Sequence, residues 1–231
     1  MTAPVDLERE RFVAAWEADL RRGLELSGED KAYFAHRRIR WLRDRVRALG
    51  FRAEQVLDFG CGFGDSCPVL LDQLAAHAVV GVDVSEQVVQ AARSRQTTRI
   101  RFSRLEERPQ TTFDLAYCNG VFHHIPPARR LDSLGYIRDA LRPGGLLSFW
   151  ENNPWNPGTR LVMSRIPFDR EAQTLSPPTA RRLLRAAGFL VLRTDFLFIF
   201  PRALGGLRWL EPMLSRFPIG AQYQVLCQRP A

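Results

Sequence analysis

Lysine is nearly missing from this chain. Lys31 is the only one in 231 residues, beside thirty-two arginines, and the net charge is +8. A skew that complete reflects base composition more simply than it reflects a nucleic-acid surface. Cysteine is scarce too: Cys61, Cys67, Cys118 and Cys227 lack zinc-like spacing, so reduced thiols and no metal site are expected. No apolar run approaches the ~18 residues that span a bilayer. Internal repeats and low-complexity tracts are absent, and the N-terminus lacks the charged-then-apolar pattern of a secretion signal. A cytoplasmic location is therefore expected, with one α/β domain plus elaborations for a chain that is 45% hydrophobic.

What is present centres on Val56-Leu57-Asp58-Phe59-Gly60-Cys61-Gly62-Phe63-Gly64. Apolar residues lead into an acid, and three glycines then alternate. This reads as a buried strand ending in a turn whose backbone passes close to a ligand, since glycine lacks Cβ and accepts positive φ. Asp65 or Ser66 can cap a following helix, and Pro68 is tolerated in its first turn. A dinucleotide fold would need its third glycine at position 65, where Asp65 would repel a pyrophosphate. An oxidoreductase is disfavoured on that ground.

Gly60, Gly62 and Gly64 with Asp58 before them resemble instead the first motif of the class I S-adenosylmethionine-dependent methyltransferases. Their cofactor carries a sulfonium and an amino-acid end and no phosphate, so acids beside the loop are an advantage. The resemblance continues over about residues 50–150. Val79–Ser85 reads as a second strand ending in Asp83 and Val84, with Ser85 as the cap of the next helix. Ile100-Arg101-Phe102 and Glu106, where the family usually has Asp, match the third strand and its adenine-side acid. Phe113–Ile125 matches the fourth strand and its loop, through Asn119, His123 and His124. Leu141–Phe149 matches a helix end, a turn and the fifth strand.

The resemblance implies an α/β, Rossmann-like seven-stranded sheet with helices on both faces, an antiparallel last strand and an N-terminal helical lid over residues 1–49. The domain proper would be 50–231. It implies S-adenosyl-L-methionine as cofactor and S-adenosyl-L-homocysteine as product. The cofactor contacts would be Asp58, Gly60, Cys61, Gly62 and Gly64, then Asp83, Val84, Glu106 and Asn119. Mechanism needs a base only if the acceptor must lose a proton. His123 and His124 are candidates because they follow the fourth strand, and Glu151 is a third.

The N-terminal region reads as two helices parted near Leu26-Ser27-Gly28. The first carries Phe12, Trp16 and Leu20. Tyr33 and Arg37, with His36 between them, are expected to face cofactor or substrate. Arg37, Arg38, Arg40, Arg43, Arg45 and Arg47 form a stripe that could follow a phosphate backbone. The same stripe is the solvated face of an amphipathic helix whose Ile39, Leu42, Val46 and Leu49 point inward.

Beyond the fifth strand, Trp150–Pro157 gathers hydrogen-bonding and stacking groups where active sites form in open sheets. Asn152, Asn153 and Trp155 are the substrate-binding candidates. Residues 158–175, with Phe168, Asp169 and Arg170, should lie over the site as a loop or short helix. Phe189–Phe200 reads as the sixth strand, and Ala221–Gln228 as the last. Between them, 201–219 is an apolar insertion that could cap a pocket, form a homodimer face, rest peripherally on a membrane, or simply pack on the sheet.

The expected activity is methyl transfer to an oxygen or nitrogen of a small-molecule or lipid-linked acceptor. The alternatives are an RNA or protein methyltransferase working through the arginine helix, and a cofactor-binding protein that catalyses a reaction such as cyclisation.

Overall fold

The computed structural model describes residues 3–109, 111–169 and 172–231, with the side chains of 3–12 and of Phe168 left aside. The expectations on Phe12, Phe168 and Arg170 therefore lie outside the described residues. Seven strands form one sheet: β1 (Gln55–Phe59), β2 (Ala78–Asp83), β3 (Ile100–Arg104), β4 (Phe113–Asn119), β5 (Leu141–Asn152), β6 (Leu190–Leu197) and β7 (Gln222–Gln228). Their order is β3-β2-β1-β4-β5-β7-β6. Neighbours from β3 to β5 run parallel, and β7 runs antiparallel between β5 and β6.

Side-chain alternation along the strands sorts the core into two layers. Val56 and Leu146 belong to the layer under α2 (Lys31–Ala48), α3 (Ser66–Gln73) and α4 (Glu86–Ala92). Leu57 and Leu147 belong to the opposite layer, under α5 (Arg130–Ala140) and α7 (Pro177–Ala186). Successive strand residues face opposite ways, so a near-continuous apolar run is what a sheet covered on both faces requires.

Helix α1 (Ala3–Leu24) precedes α2, and the break falls where the glycine predicts it: Gly28 adopts φ 72°. The cap of α2 is Asp30, whose carboxylate accepts from the Tyr33 amide at 2.7 Å, a contact worth about 1 kcal/mol. Ile39, Leu42 and Val46 are buried as expected, but Leu49 is not. It lies one residue past the helix end, where the stripe no longer faces the sheet. The arginines of α2 are largely engaged within the molecule. Arg37 pairs with Glu211, Arg43 with Asp44, and Arg45 with Asp195, while Arg38 is buried.

Trp150, Glu151 and Asn152 are strand residues, so the loop begins only at Asn153. Trp150 is wholly buried in the core. Helix α6 (Pro157–Arg165) follows, capped by Asn156 accepting from the Thr159 amide at 3.0 Å. It packs on α1 at Gly23, where a Cβ would fall 2.3 Å from Ile166 Cγ1. The 201–219 segment forms a 3-10 turn and the short α8 (Glu211–Leu214). Among the described residues no helix is long and apolar enough to cross a membrane.

Candidate active site

A cavity of about 1150 Å³ opens at the carboxyl ends of β1, β2 and β4. Its walls include α1, α2, α6 and residues 198–201. This is the crevice where strand order reverses in an open parallel sheet, the expected ligand position. The volume exceeds the roughly 300–1,000 Å³ of ordinary small-molecule sites.

The glycine turn forms the floor. Gly60 and Cys61 donate their amides to the Val82 carbonyl, locking β1 to β2 where both strands end. Gly60 takes φ +68°, and a Cβ there would strike Val121 Cγ2 at 2.4 Å. Gly62 takes φ +55° with open space where a Cβ would stand. Its amide donates to Asp83 Oδ2 at 3.1 Å, and the Ser85 amide to Asp83 Oδ1 at 3.0 Å. Both carboxylate oxygens are thereby fixed at the cavity wall with lone pairs to spare. Ser85 keeps the capping role through the Val88 amide.

Asp58 is buried at the end of β1 and accepts from the Cys67 thiol at 3.3 Å. Burial pushes its carboxyl up to about 7, against the pull of that hydrogen bond. Arg38 also lines the cavity. Its Nε donates to the Tyr117 hydroxyl at 3.1 Å and its Nη1 to Gln222 Oε1 at 2.9 Å. A buried acid and a buried guanidinium on one wall suit the ammonium and carboxylate of an amino-acid group. Cys61, Val84 and Asn119 line the cavity as well.

Two of the expected cofactor contacts do not reach it. Glu106 points to solvent and pairs with Arg104 at 3.0 Å. The short turn after β3 swings it outward, and Leu105 faces the cavity instead. Gly64 serves packing, since a Cβ there would meet the Phe102 ring at 2.5 Å.

A second cluster faces the same cavity. His123 is buried, with Nδ1 2.5 Å from Glu151 Oε2 and Nε2 3.6 Å from Asp169 Oδ1. Glu151 Oε1 accepts the Phe122 amide at 2.7 Å, so the carboxylate holds both the loop and the ring. His124 is half-exposed and places Nε2 3.3 Å from Asp169 Oδ1. Burial alone would lower the His123 pKa, but the Glu151 charge and the bonds to Asp169 and Glu151 raise it to about 10. For Asp169, burial is outweighed by hydrogen bonds from His123 and His124, which hold its carboxyl below the usual range.

Two carboxylates around the buried ring favour the charged form of His123 over the neutral form that a base needs. Glu151 sits behind it, off the cavity wall. Asp169 carried no role in the sequence reading, because nothing local marks a carboxylate 46 residues beyond its partner. Donor atoms of His123, His124 and Asp169 lie within 4.8 Å of one another, a spacing that a divalent cation could also bridge.

The substrate-side expectations divide. Tyr33 and Asn152 line the cavity, the Tyr33 ring lying beneath Arg208 at 4.7 Å. Arg37 is turned away to Glu211 at 2.6 Å. Asn153 is buried and ties its loop to the Pro218 and Gly220 carbonyls. Trp155 is exposed and off the cavity wall. The greasy walls come instead from elements that sequence periodicity could not orient, including Trp16, Phe63, Val162 and Met163.

A family model described as a methyltransferase domain matches residues 57–147. Trans-aconitate 2-methyltransferase of Sinorhizobium fredii is 30% identical over 155 residues, 65% of this chain and 59% of that protein. The Rhizobium etli enzyme of the same name is 29% identical, with 82% of each chain covered. The first two of these relatives that match are spanned over about half their length, 59% and 45%. A solved S-adenosylmethionine-dependent methyltransferase from Mesorhizobium loti shares the fold, with TM-score 0.56 and 22% identity over 77% of this chain and 91% of that one. Fold, glycine cradle and family match agree: the chain carries a class I methyltransferase domain, whose cofactor is S-adenosylmethionine. The open space at Gly62, the fixed Asp83 carboxylate and the facing Asp58 and Arg38 all fit that cofactor.

Proposed function

We propose that this protein transfers a methyl group from S-adenosylmethionine to an oxygen or nitrogen of a largely apolar small molecule. One observation carries the reading: the glycine cradle with its two acids and the His124–Asp169 pair open into the same cavity. When bound, the sulfonium supplies an already activated methyl group. Asp83 would accept the ribose hydroxyls, and Val84 would flank the adenine. Asp58 and Arg38 would take the amino-acid end.

Glu151 and Asp169 hold His123 protonated, which fixes the loop after β4 and places positive charge behind the acceptor side. Proton acceptance then falls to His124, whose ring reaches the cavity and whose Nε2 is oriented by Asp169. Alignment of an acceptor against α1 and α6 supplies the rest, because positioning is the main requirement once the leaving group is activated.

The relatives' name points to a carboxylate anion as acceptor, and this cavity argues for a less charged one. Among the described residues, each lysine or arginine on its wall already has a hydrogen-bond or ion-pair partner. Lys31 pairs with Glu17 and Asp65, Arg208 with Glu29, and Arg129 with Asp132, while Arg38 is held by Tyr117 and Gln222. Among the described residues, a polycarboxylate would have to compete with the acids that hold Lys31, Arg208 and Arg129, and with the cofactor's carboxylate for Arg38.

The test is formation of S-adenosylhomocysteine with apolar phenols and amines as acceptors and trans-aconitate as comparison, followed by mass spectrometry. His124→Gln should lower turnover about 10²- to 10⁴-fold and leave S-adenosylhomocysteine affinity unchanged. Absence of binding to either cofactor form would sink the reading. Turnover of trans-aconitate alone would overturn the acceptor class.

A further inference from the structure

The 201–219 segment has an outer surface that the cavity does not use. Trp209 is 70% exposed, Met213 71% and Phe217 57%. These three are spaced four residues apart, and Leu204, Leu207 and Ile219 are exposed beside them. Surface apolar residues scattered singly need no explanation, but six in one sixteen-residue stretch form a patch.

The patch continues past the segment. Asn153 donates to the Pro218 and Gly220 carbonyls, and Asn156 donates to the Ile219 carbonyl at 2.7 Å. These bonds hold the Trp155 loop against the segment, and Trp155 is itself exposed. At its other end the patch meets the cavity mouth, where Phe200 and Pro201 line the wall together with the exposed Leu26 and Leu161.

Its charge has one sign. The segment's single acid, Glu211, is buried and bound to Arg37 and to the Ile199 amide. Arg208 is neutralised by Glu29. Arg202 is exposed, and Arg216 is 59% exposed with only a long 3.9 Å contact to Asp195, an acid already held by Arg45 and Arg193; Arg160 and Arg165 are exposed on α6.

We infer that this face docks on an anionic phospholipid surface, with the cavity mouth turned toward the lipid. Tryptophan and long apolar side chains settle at the headgroup boundary, and arginines beside them meet lipid phosphates. A two-fold contact with a second copy fits less well, because it would set Arg202 and Arg216 of both chains against one another. Docking of this kind would let an apolar acceptor pass from the bilayer to the cavity without crossing water.

The experiment is flotation of the full chain with vesicles of phosphatidylcholine alone and of phosphatidylcholine mixed with phosphatidylglycerol. Partition into the anionic vesicles should be at least about tenfold higher and should weaken at high salt. Trp209→Glu/Met213→Glu/Phe217→Glu should abolish it while keeping the thermal melt and S-adenosylhomocysteine affinity of the wild type. Arg202→Gln/Arg216→Gln, which leaves the apolar face intact, should reduce partition to that seen with neutral vesicles. No partition, or equal partition into both vesicle types, would overturn the inference. So would self-association in sedimentation that the triple variant removes, since it would assign the face to a second copy.

Discussion

The Lys31 ammonium lies 3.0 Å from the Asp65 carboxylate, and 2.6 Å from Glu17 on α1. The one lysine of the chain thus joins both N-terminal helices to the loop that follows the glycine cradle. Arg95 reinforces Asp65 from the far side at 3.0 Å. Asp65, the residue that disfavours a dinucleotide, is occupied in fastening the cover of the cavity.

Lys31→Met should loosen that cover. Part-exposed ion pairs contribute about 0–1 kcal/mol each, so S-adenosylhomocysteine affinity should fall by less than about tenfold. Cleavage within α1 under limited proteolysis should speed up. Calorimetry and a digestion time course check both. An unchanged α1 cleavage rate would show that Trp16 packing on Phe63 already suffices.

Asp83→Ala should weaken both cofactor forms by roughly 10- to 150-fold, as expected for hydrogen bonds to a charged group worth about 1.5–3 kcal/mol. Calorimetric titration reads this directly. Glu106→Ala, aimed at a side chain that faces solvent, should leave affinity unchanged.

Cofactor affinity should rise with pH through about 7. The Asp58 carboxyl titrates near that value because it is buried, and only its ionised form attracts an ammonium group. Below pH 7 the carboxyl is increasingly protonated and affinity drops. Asp58→Asn should flatten the profile at the weaker level.

Stability should carry the signature of His123. Its folded pKa of about 10 lies above the ordinary 6.5. The stabilisation is therefore complete below pH 6.5 and is lost as pH rises through about 10. Glu151→Gln leaves the buried imidazolium with a weakened partner, a change of the kind that costs about 3–5 kcal/mol. Melting curves from pH 6 to 10 would show the wild-type decline and a flatter variant. A parallel decline in both would assign it to another group.

The landmarks legible in the residues were those made by local chemistry. A glycine turn needs positive φ, an acid closes a strand, and a serine caps a helix, so Gly60, Asp83 and Ser85 announce their places within a few positions. The sheet followed from the resemblance of these landmarks, in their order, to a known family. Leu49 misled because periodicity does not mark the turn at which a helix ends. Glu106 misled because the direction of a side chain in a short turn depends on φ and ψ that composition does not encode. Arg38 was lost among its neighbours in the stripe.

From residues 56–64 and the runs that follow, the sequence by itself determined the glycine cradle, because a strand end, a turn and a helix cap are set by near neighbours, while its resemblance to a known family supplied the sheet and the kind of cofactor. Only the tertiary structure decided which of the two histidines is enclosed by carboxylates. That choice depends on Glu151 and Asp169 arriving from β5 and from the segment after α6 to enclose His123 in a dry, doubly acidic pocket. Side chains 28 and 46 residues away set the charge of that ring, and no pattern around positions 123 and 124 reports their approach.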